Sequence, residues 1–305
     1  MNQQLSMFPE LDWKYVEVSV DRVKLAWELH HMMNPDGKPM LMAFSGGKDS
    51  ICLFFVCKQA AEELGLPMEK MFKVRYNITC VDPPELVYFV REMKKTYPFI
   101  EIFHPKKTMW QLIPEKKMPP TRMVRYCCSE LKESNHIKGG YSLTGVRRAE
   151  SVQRSTRGAF DKLARKREDR VSTDHILLND NEDREWSEFC MQKNVYVCNP
   201  IIDWSDEDVW NFIKGKNLPY CKLYDEGFRR LGCIGCPMAP TKDRERAFNR
   251  WPGFKKCYVR AFEHMIANAP KREWKSGEDV FEWWMYGEKR PVVQEEQLFE
   301  EDREE

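Results

Sequence analysis

The sequence predicts an α/β fold, a doubly wound and mainly parallel sheet followed by a helical C-terminal region. Three patterns predict it. Short apolar runs of strand character take turns with runs whose apolar residues recur at helical spacing. A Gly-Gly turn joins the first such strand to the first such helix, and the region beyond residue 240 reads as helical.

Taken in order, residues 1–35 form an N-terminal helical segment, and "PMLMAFS" (39–45) is a continuous apolar strand that ends in a Gly-rich turn. "ICLFFVCKQAAEEL" (51–64) carries apolar residues on helical spacing. "MFKVRYNIT" (71–79) alternates as a second strand, "PELVYFVREMKKTY" (84–97) is a helix, "FIEIFHP" (99–105) a third strand and "YSLTGVR" (141–147) a fourth. "NVYVCNPI" (194–201) adds another, and "SDEDVWNFIKGKN" (205–217) opens with Ser205 as N-cap and Asp208 three residues on, a near capping box. Strands alternating with helices give a parallel sheet covered on both faces.

Between Arg147 and Arg170 nine basic residues stand against four acids, and "STDHILLNDNEDREW" (172–186) then turns polar and acidic. Residues 150–190 read as an excursion from the sheet. "WPGFKKCYVRAFEHM" (251–265) is a helix with Phe254, Cys257, Tyr258, Ala261, Phe262 and Met265 on one face. Trp274, Trp283, Trp284 and Tyr286 are expected in the core, and "EEDREE" (300–305) is a solvated end. The expected division is therefore 1–35, 36–240 and 241–305, with no internal repeat.

Composition narrows the function classes. A chain of 305 residues, 42% of them hydrophobic, can bury a large core, and 49 basic against 48 acidic side chains leave no whole-molecule field toward nucleic acid or membrane. The N-terminus has no basic region followed by an apolar run, and nowhere do eighteen apolar residues follow one another. A soluble, cytoplasmic protein without a membrane partner is expected. In that reducing setting eleven cysteines, an odd number, do not read as a disulfide framework.

"SGGKDS" (45–50) lies between strand and helix, the context in which a Gly-rich turn acquires chemistry. Gly46 and Gly47 can turn successive N–H groups into one concavity, and the helix N-terminus behind them adds positive potential, which makes a cradle for phosphate or sulfate. Ser45 and Ser50 add hydroxyls, Lys48 a charge and Asp49 a carboxylate. The spacing of a Walker A loop is absent. In "TCVDPPE" (79–85) a strand end delivers Asp82 and Glu85 toward the same side, where they can bind ribose or a metal ion, or where Asp82 can simply cap the next helix. "TGVRRAES" (144–151) places Gly145, Arg147 and Arg148 just past the fourth strand, where two guanidinium groups can clamp an anion.

"GCIGCP" (232–237) is a Cys-x-x-Cys flanked by Gly and Pro, half of a metal site. "VRYCCSELKE" (124–133) offers the other half in Cys127 and Cys128, completing four thiolates with Cys233 and Cys236. Zinc and a four-iron four-sulfur cluster both remain open, and adjacent cysteines suit the well separated corners of the cluster better. Packing accounts for Cys52, Cys57, Cys80 and Cys198, while Cys190 and Cys221 carry no signal.

"SGGKDS", "YCCSELK", "TGVRRAES" and "NPIIDWSDEDVWNFIKGKNLPYCKLYDEGFRRLGCIGCP" (199–237) together resemble the phosphoadenosine phosphosulfate and adenylyl sulfate reductase family, in the family's own order. The resemblance implies an adenine nucleotide α-hydrolase-like fold, a nucleotide over the strand ends with its anionic group in the Ser45–Ser50 loop, and, as in the iron–sulfur branch, one cluster on Cys127, Cys128, Cys233 and Cys236. Two features depart from that family. Its late Glu-Cys-Gly-Leu/Ile-His nucleophile motif is missing, leaving Cys257 as the only later cysteine, on an apolar helical face where a thiolate is disfavoured. Its Thr-Gly after the second strand is replaced by Val81-Asp82-Pro83.

Three functions are compatible with this pattern. The leading one is cleavage of ATP between the α- and β-phosphates, with a magnesium ion, to adenylate an acceptor for sulfur transfer. In it Lys48 and the loop amides steady pyrophosphate, Arg147 and Arg148 hold the acceptor or the adenylate, a sulfur donor acts as partner, and a nucleic-acid-linked acceptor would meet the basic stretch 147–170. The second is reduction of adenylyl sulfate or its 3′-phosphate to sulfite, with Cys257 or a partner thiol as nucleophile and a thioredoxin-like reductant. The third is a nucleotide-binding iron–sulfur sensor or subunit without turnover.

Overall fold

The computed structural model describes residues 14–132, 140–150, 154, 155, 157–162, 196–268 and 274–287. Cys190, the acidic stretch 172–186, most of 147–170 beyond Glu150, and the tail 300–305 lie outside the described residues. Two compact units emerge, Met1–Met109 with Arg122–Cys236, and Trp110–Thr121 with Pro237–Glu305. Among the described residues no helix is long and apolar enough to cross a membrane.

The first unit is built on six strands: β1 Met40–Ala43, β2 Phe72–Asn77, β3 Glu101–Phe103, β4 Tyr141–Leu143, β5 Phe160–Lys162 and β6 Tyr196–Cys198. Their order across the sheet is β3-β2-β1-β4-β6-β5. β1 pairs in parallel with β2 (Met42 opposite Val74) on one side and with β4 (Met42 opposite Leu143) on the other. β6 continues in parallel from β4, and β5 runs antiparallel on the outer edge. The sheet therefore winds outward in both directions from β1, which is the doubly wound arrangement expected. β5 carries no sequence signal of its own and falls within the 150–190 stretch read as leaving the sheet; its three residues instead close the sheet's edge. Three residues are too few to show an alternation.

Helix α1 (Lys14–Met33) buries Val16, Val20, Val23 and Ala26, and it packs on α2 (Lys48–Glu63). α2 buries most of its length because it packs against both α1 and a later helix, α7 (Asp206–Gly215). Ile51, Leu53, Phe54 and Val56 are fully buried. Phe54 touches the rings of Phe44, Tyr97 and Phe99 at centroid distances of 4.8 to 6.3 Å. A short turn α3 (Met68–Met71) leads into β2, and α4 (Pro84–Thr96) connects β2 to β3, opening with Pro in its first turn. α5 (Met109–Lys116) and α6 (Tyr126–Leu131) follow, then, after β6, α7 (Asp206–Gly215). At α7 the near capping box becomes complete: Ser205 Oγ accepts from Asp208 N, and Asp208 accepts from Ser205 N.

His30 ties α1 to the start of β4. Its Nε2 donates to the Lys38 carbonyl at 2.7 Å, while its Nδ1 accepts from Tyr141 N at 2.9 Å, which fixes one neutral tautomer. Burial lowers its pKa below the ordinary histidine value. Gly140 beside it is left-handed (φ 107°), and a Cβ there would come within 2.5 Å of the imidazole.

The second unit gathers α8 (Thr241–Arg250), α9 (Pro252–Asn268) and α10 (Gly277–Tyr286) around an aromatic core of Phe248, Tyr258, Phe262, Phe281 and Trp284. The Arg244 guanidinium lies 4.2 Å from the Trp284 ring centroid and donates to the Trp284 carbonyl at 2.9 Å. Trp284 Nε1 donates to the Pro120 carbonyl at 2.6 Å. Trp274 and Trp283 are half-buried and lie against each other, so the core position expected for all four late aromatics holds fully only for Trp284. The α9 face also differs from expectation. Tyr258, Ala261, Phe262 and Met265 are buried, but Cys257 is exposed, because one helical position of rotation carries it off the packed stripe.

Candidate functional site

In a sheet wound outward from a central strand, the loops leaving two neighbouring strands in opposite directions open a crevice at the strands' C-terminal ends. Here those strands are β1 and β4, and the loops are Phe44–Gly47 and Thr144–Arg147. They meet closely. A Cβ on Gly145 would lie 3.0 Å from the Asp49 carbonyl oxygen and 3.3 Å from Ser50 N, so the β4 loop rests on the first turn of α2. Gly46 is left-handed (φ 73°), and a Cβ there would press within 2.8 Å of Val90 and 2.9 Å of Leu86 on α4. Gly46 is thus required by backbone shape and by contact, and Gly145 by contact.

Within the loop, Ser45 Oγ accepts from Gly47 N at 3.3 Å and donates to Ser50 Oγ at 3.2 Å, while Ser50 Oγ donates to the Gly47 carbonyl at 2.9 Å. Gly47 is the N-cap of α2 and brings no side chain to cap it. The Lys48 amide finds its acceptor far along the chain, donating to the Tyr224 hydroxyl at 2.8 Å.

The charged side chains form a compact set. Arg147, only 1% exposed, donates from Nε to Asp49 at 2.6 Å, from Nη1 to the Trp204 carbonyl at 3.1 Å and from Nη2 to Asp206 at 2.7 Å. Lys48 Nζ reaches Asp206 at 2.7 Å and Asp49 at 3.4 Å. Two cations and two carboxylates balance: Lys48 and Arg147 are buried, Asp49 is half-buried and Asp206 stays open to water. The Lys48 contact, helped by Arg147, holds the Asp206 carboxyl below its ordinary pKa. Asp206 was legible in the sequence only as part of a helix start, and nothing there tied it to Lys48.

Arg147 and Arg148 do not form a side-by-side clamp here. Arg148 is exposed, pairs with Asp203 and donates from Nε to the Arg157 carbonyl at 3.0 Å. Arg154 pairs with Glu150, so the described part of the basic stretch carries more acidic compensation than its composition suggested.

At the end of β2, Asp82 does not cap α4. Its Oδ2 accepts from Thr79 N at 2.7 Å, Pro83 occupies the N-cap position, and burial raises the Asp82 pKa. The left-handed residue of this turn is Cys80 (φ 64°), so the turn's special conformation falls at Thr79-Cys80, just before the Val81-Asp82-Pro83 singled out in the sequence. Glu85 lies in the first turn of α4, half-buried.

The Cys-x-x-Cys knuckle meets this turn. Ile234 N donates to the Val81 carbonyl at 2.7 Å, Cys233 Sγ lies 3.4 Å from Thr79 Oγ1, and Cys236 N closes the knuckle onto the Cys233 carbonyl at 3.1 Å over a left-handed Gly235. Burial pushes the Cys233 thiol up to about 12. Cys127 and Cys128 are buried in the first turn of α6, and Lys132, at the end of that helix, acts electrostatically on Cys233. The donor chemistry suits a thiolate-bound metal or cluster, since a cation is what turns a buried thiol into a thiolate. Among the described residues, however, no three His, Cys, Asp or Glu side chains gather in coordination geometry. Cys52, Cys57 and Cys198 are buried in the core, and Cys221 is buried as well.

A model of the phosphoadenosine phosphosulfate reductase domain matches residues 39–239. An uncharacterized protein of Methanocaldococcus jannaschii is 28% identical over 68% of this chain and 46% of its own length. The adenosine 5′-phosphosulfate reductase of Oceanobacillus iheyensis is 33% identical over 37% of this chain and 36% of its own. The chain thus spans less than half the length of these curated relatives. Among solved structures, the U34-tRNA thiolase of Methanococcus maripaludis with its 4Fe-4S cluster aligns with a TM-score of 0.46 at 12% identity, over 87% of this chain and 82% of that one. The phosphoadenylyl-sulfate reductase of Candida auris aligns with a TM-score of 0.41 at 15% identity, over 70% and 93%.

Proposed function

Because the chain belongs to the phosphoadenosine phosphosulfate reductase domain family, whose fold is adenine nucleotide α-hydrolase-like, we propose that it is a nucleotide-dependent enzyme of sulfur transfer. Its reaction in this proposal is cleavage of ATP between the α- and β-phosphates with release of pyrophosphate, adenylation of an oxygen or phosphate acceptor, and displacement of AMP by sulfur from a separate sulfur donor. The observation that carries the proposal is the Ser45–Ser50 loop resting, through Gly145, at the crevice between β1 and β4.

The residues divide the work as follows. Amides of Gly46, Gly47 and the first turn of α2 meet the phosphate chain, with the hydroxyls of Ser45 and Ser50 beside them. Lys48 supplies positive charge to the departing pyrophosphate once it exchanges Asp206 for the ligand, and a magnesium ion accompanies the nucleotide. Arg147, enclosed and doubly paired, keeps Asp49 and Asp206 in place rather than reaching the acceptor itself. Arg148, exposed beside it, is the guanidinium able to turn toward an acceptor, and the basic residues as far as 170 would suit one linked to nucleic acid. Asp82 and Glu85 stand at the neighbouring strand end for ribose or metal. A four-iron four-sulfur group held by Cys127, Cys128, Cys233 and Cys236 would supply soft ligation for a sulfur atom in transit.

A second reading is reduction of adenylyl sulfate or its 3′-phosphate, with a thioredoxin-like reductant. The exposure of Cys257 favours it, since an exposed thiol on α9 is open to attack and to reduction. Incubating anaerobically purified protein with labelled ATP, and in parallel with labelled adenylyl sulfate and reduced thioredoxin, separates the two. Pyrophosphate from ATP supports adenylation. Sulfite from adenylyl sulfate, lost in Cys257→Ser, supports reduction, and nucleotide binding with neither product indicates a sensor or subunit.

A further inference from the structure

We propose that Tyr224 is a nucleotide-binding residue of the Ser45–Ser50 loop, its hydroxyl donating a hydrogen bond to the phosphate chain; this rests on the nucleotide reading above. The hydroxyl is already inside the cradle. It accepts the Lys48 N–H at 2.8 Å, and a Cβ on Gly47 would lie 3.4 Å from it. Accepting that N–H leaves the hydroxyl its own proton to give, and burial raises the phenol pKa, so the proton stays in place over the working pH range.

The ring is placed with some rigidity. Tyr224 closes a 3-10 turn, Lys222–Tyr224, in which Tyr224 N donates to the Cys221 carbonyl at 3.2 Å. Its ring meets Trp210 of α7 edge-on at 5.2 Å, and Trp210 meets Tyr220 in the same way at 5.5 Å. Gly227 N donates to the Tyr224 carbonyl at 3.0 Å. A donor prepositioned in this way loses little side-chain entropy when a phosphate arrives.

The physical role follows from what α2 lacks. Gly47 gives no side-chain cap, and the first-turn amides of a helix need acceptors. Tyr224 supplies one such acceptor when no phosphate is present. When a phosphate oxygen takes up the amides, the phenol can turn its proton to that oxygen, as a charge-assisted hydrogen bond requires. One group thereby satisfies the helix start before binding and the ligand after it.

Calorimetric titration of the full chain with pyrophosphate, Mg·ATP and adenosine, wild type against Tyr224→Phe, tests this. The variant keeps the ring and loses only the hydroxyl. Affinity for pyrophosphate and Mg·ATP should fall about tenfold or more, while affinity for adenosine, which has no phosphate, should stay unchanged. Tyr224→His, which offers an N–H, should recover part of the loss. Unchanged or tighter phosphate binding in Tyr224→Phe overturns the proposal, the latter by showing that the hydroxyl only obstructs the cradle. A parallel loss for adenosine overturns it as well, since that would mark general damage. If wild-type protein binds neither pyrophosphate nor Mg·ATP, the nucleotide reading itself fails and this one with it.

Discussion

The loop between β1 and α2 and the two cysteine pairs are both legible in the sequence, yet the fold completes them to different degrees. Around the loop, glycine contacts, serine hydroxyls, Tyr224 and a balanced set of Lys48, Asp49, Arg147 and Asp206 are all in place. The cysteines lie on two local turns, the start of α6 and the Gly235 knuckle, and among the described residues no three metal-binding side chains gather in coordination geometry. The lesson is physical. Backbone cradles are built by packing and hydrogen bonds that the protein supplies itself, whereas four thiols have no reason to approach one another until a cation makes thiolates of them.

Removing Arg147 should have the largest effect on that contrast. Arg147→Met would leave Asp49 and Asp206 with Lys48 as their one cation, and because Asp206 stays largely open to water the loss should be near the lower end for a buried pair, about 3 kcal/mol in urea unfolding. A loss below about 1 kcal/mol would mean that the ionic group does not hold the loop.

Gly46→Ala should follow at about 1–3 kcal/mol, from a left-handed backbone and a Cβ within 2.8 Å of Val90, again read from the urea midpoint. By contrast, Cys127→Ser and Cys236→Ser should change the stability of metal-free protein by under about 1 kcal/mol, yet abolish iron and acid-labile sulfide in protein isolated without oxygen. If these variants destabilise metal-free protein as much as the glycine change does, the two regions do not differ as described.

The smallest effect concerns pH. His30 has a folded pKa below its unfolded value, so the unfolded chain takes up its proton first as pH falls. Its contribution is fully present above the ordinary histidine value near 6.5 and is lost as pH falls from there through the lower folded pKa. His30→Gln, which cannot gain that charge, should flatten the stability profile below about pH 6.5. An unchanged slope would remove His30 from the account.

Much of this was readable beforehand, for reasons visible in particular residues. Five strands are legible because apolar runs such as "PMLMAFS" are buried on both faces of a parallel sheet, and the loop's place between strand and helix because Gly-Gly with Ser45, Lys48, Asp49 and Ser50 at fixed offsets separates two apolar runs. β5 was not, since its three residues depend on β6 for their conformation. Asp206 and Tyr224 were not, because their roles come from contacts across 158 and 176 residues of chain. Cys257 was placed on the wrong side of its helix because a stripe six residues long leaves one position of ambiguity at its edge, and exposure is decided by which neighbours pack there.

Hydrogen exchange of the full chain with and without Mg·ATP tests the central claim most directly. A nucleotide seated at the β1–β4 crevice predicts slowed exchange at the amides of residues 45–50 and 144–148, with no comparable change in the helices of the second unit. Saturating Mg·ATP that leaves those amides unaltered, or protects only residues elsewhere, would contradict it.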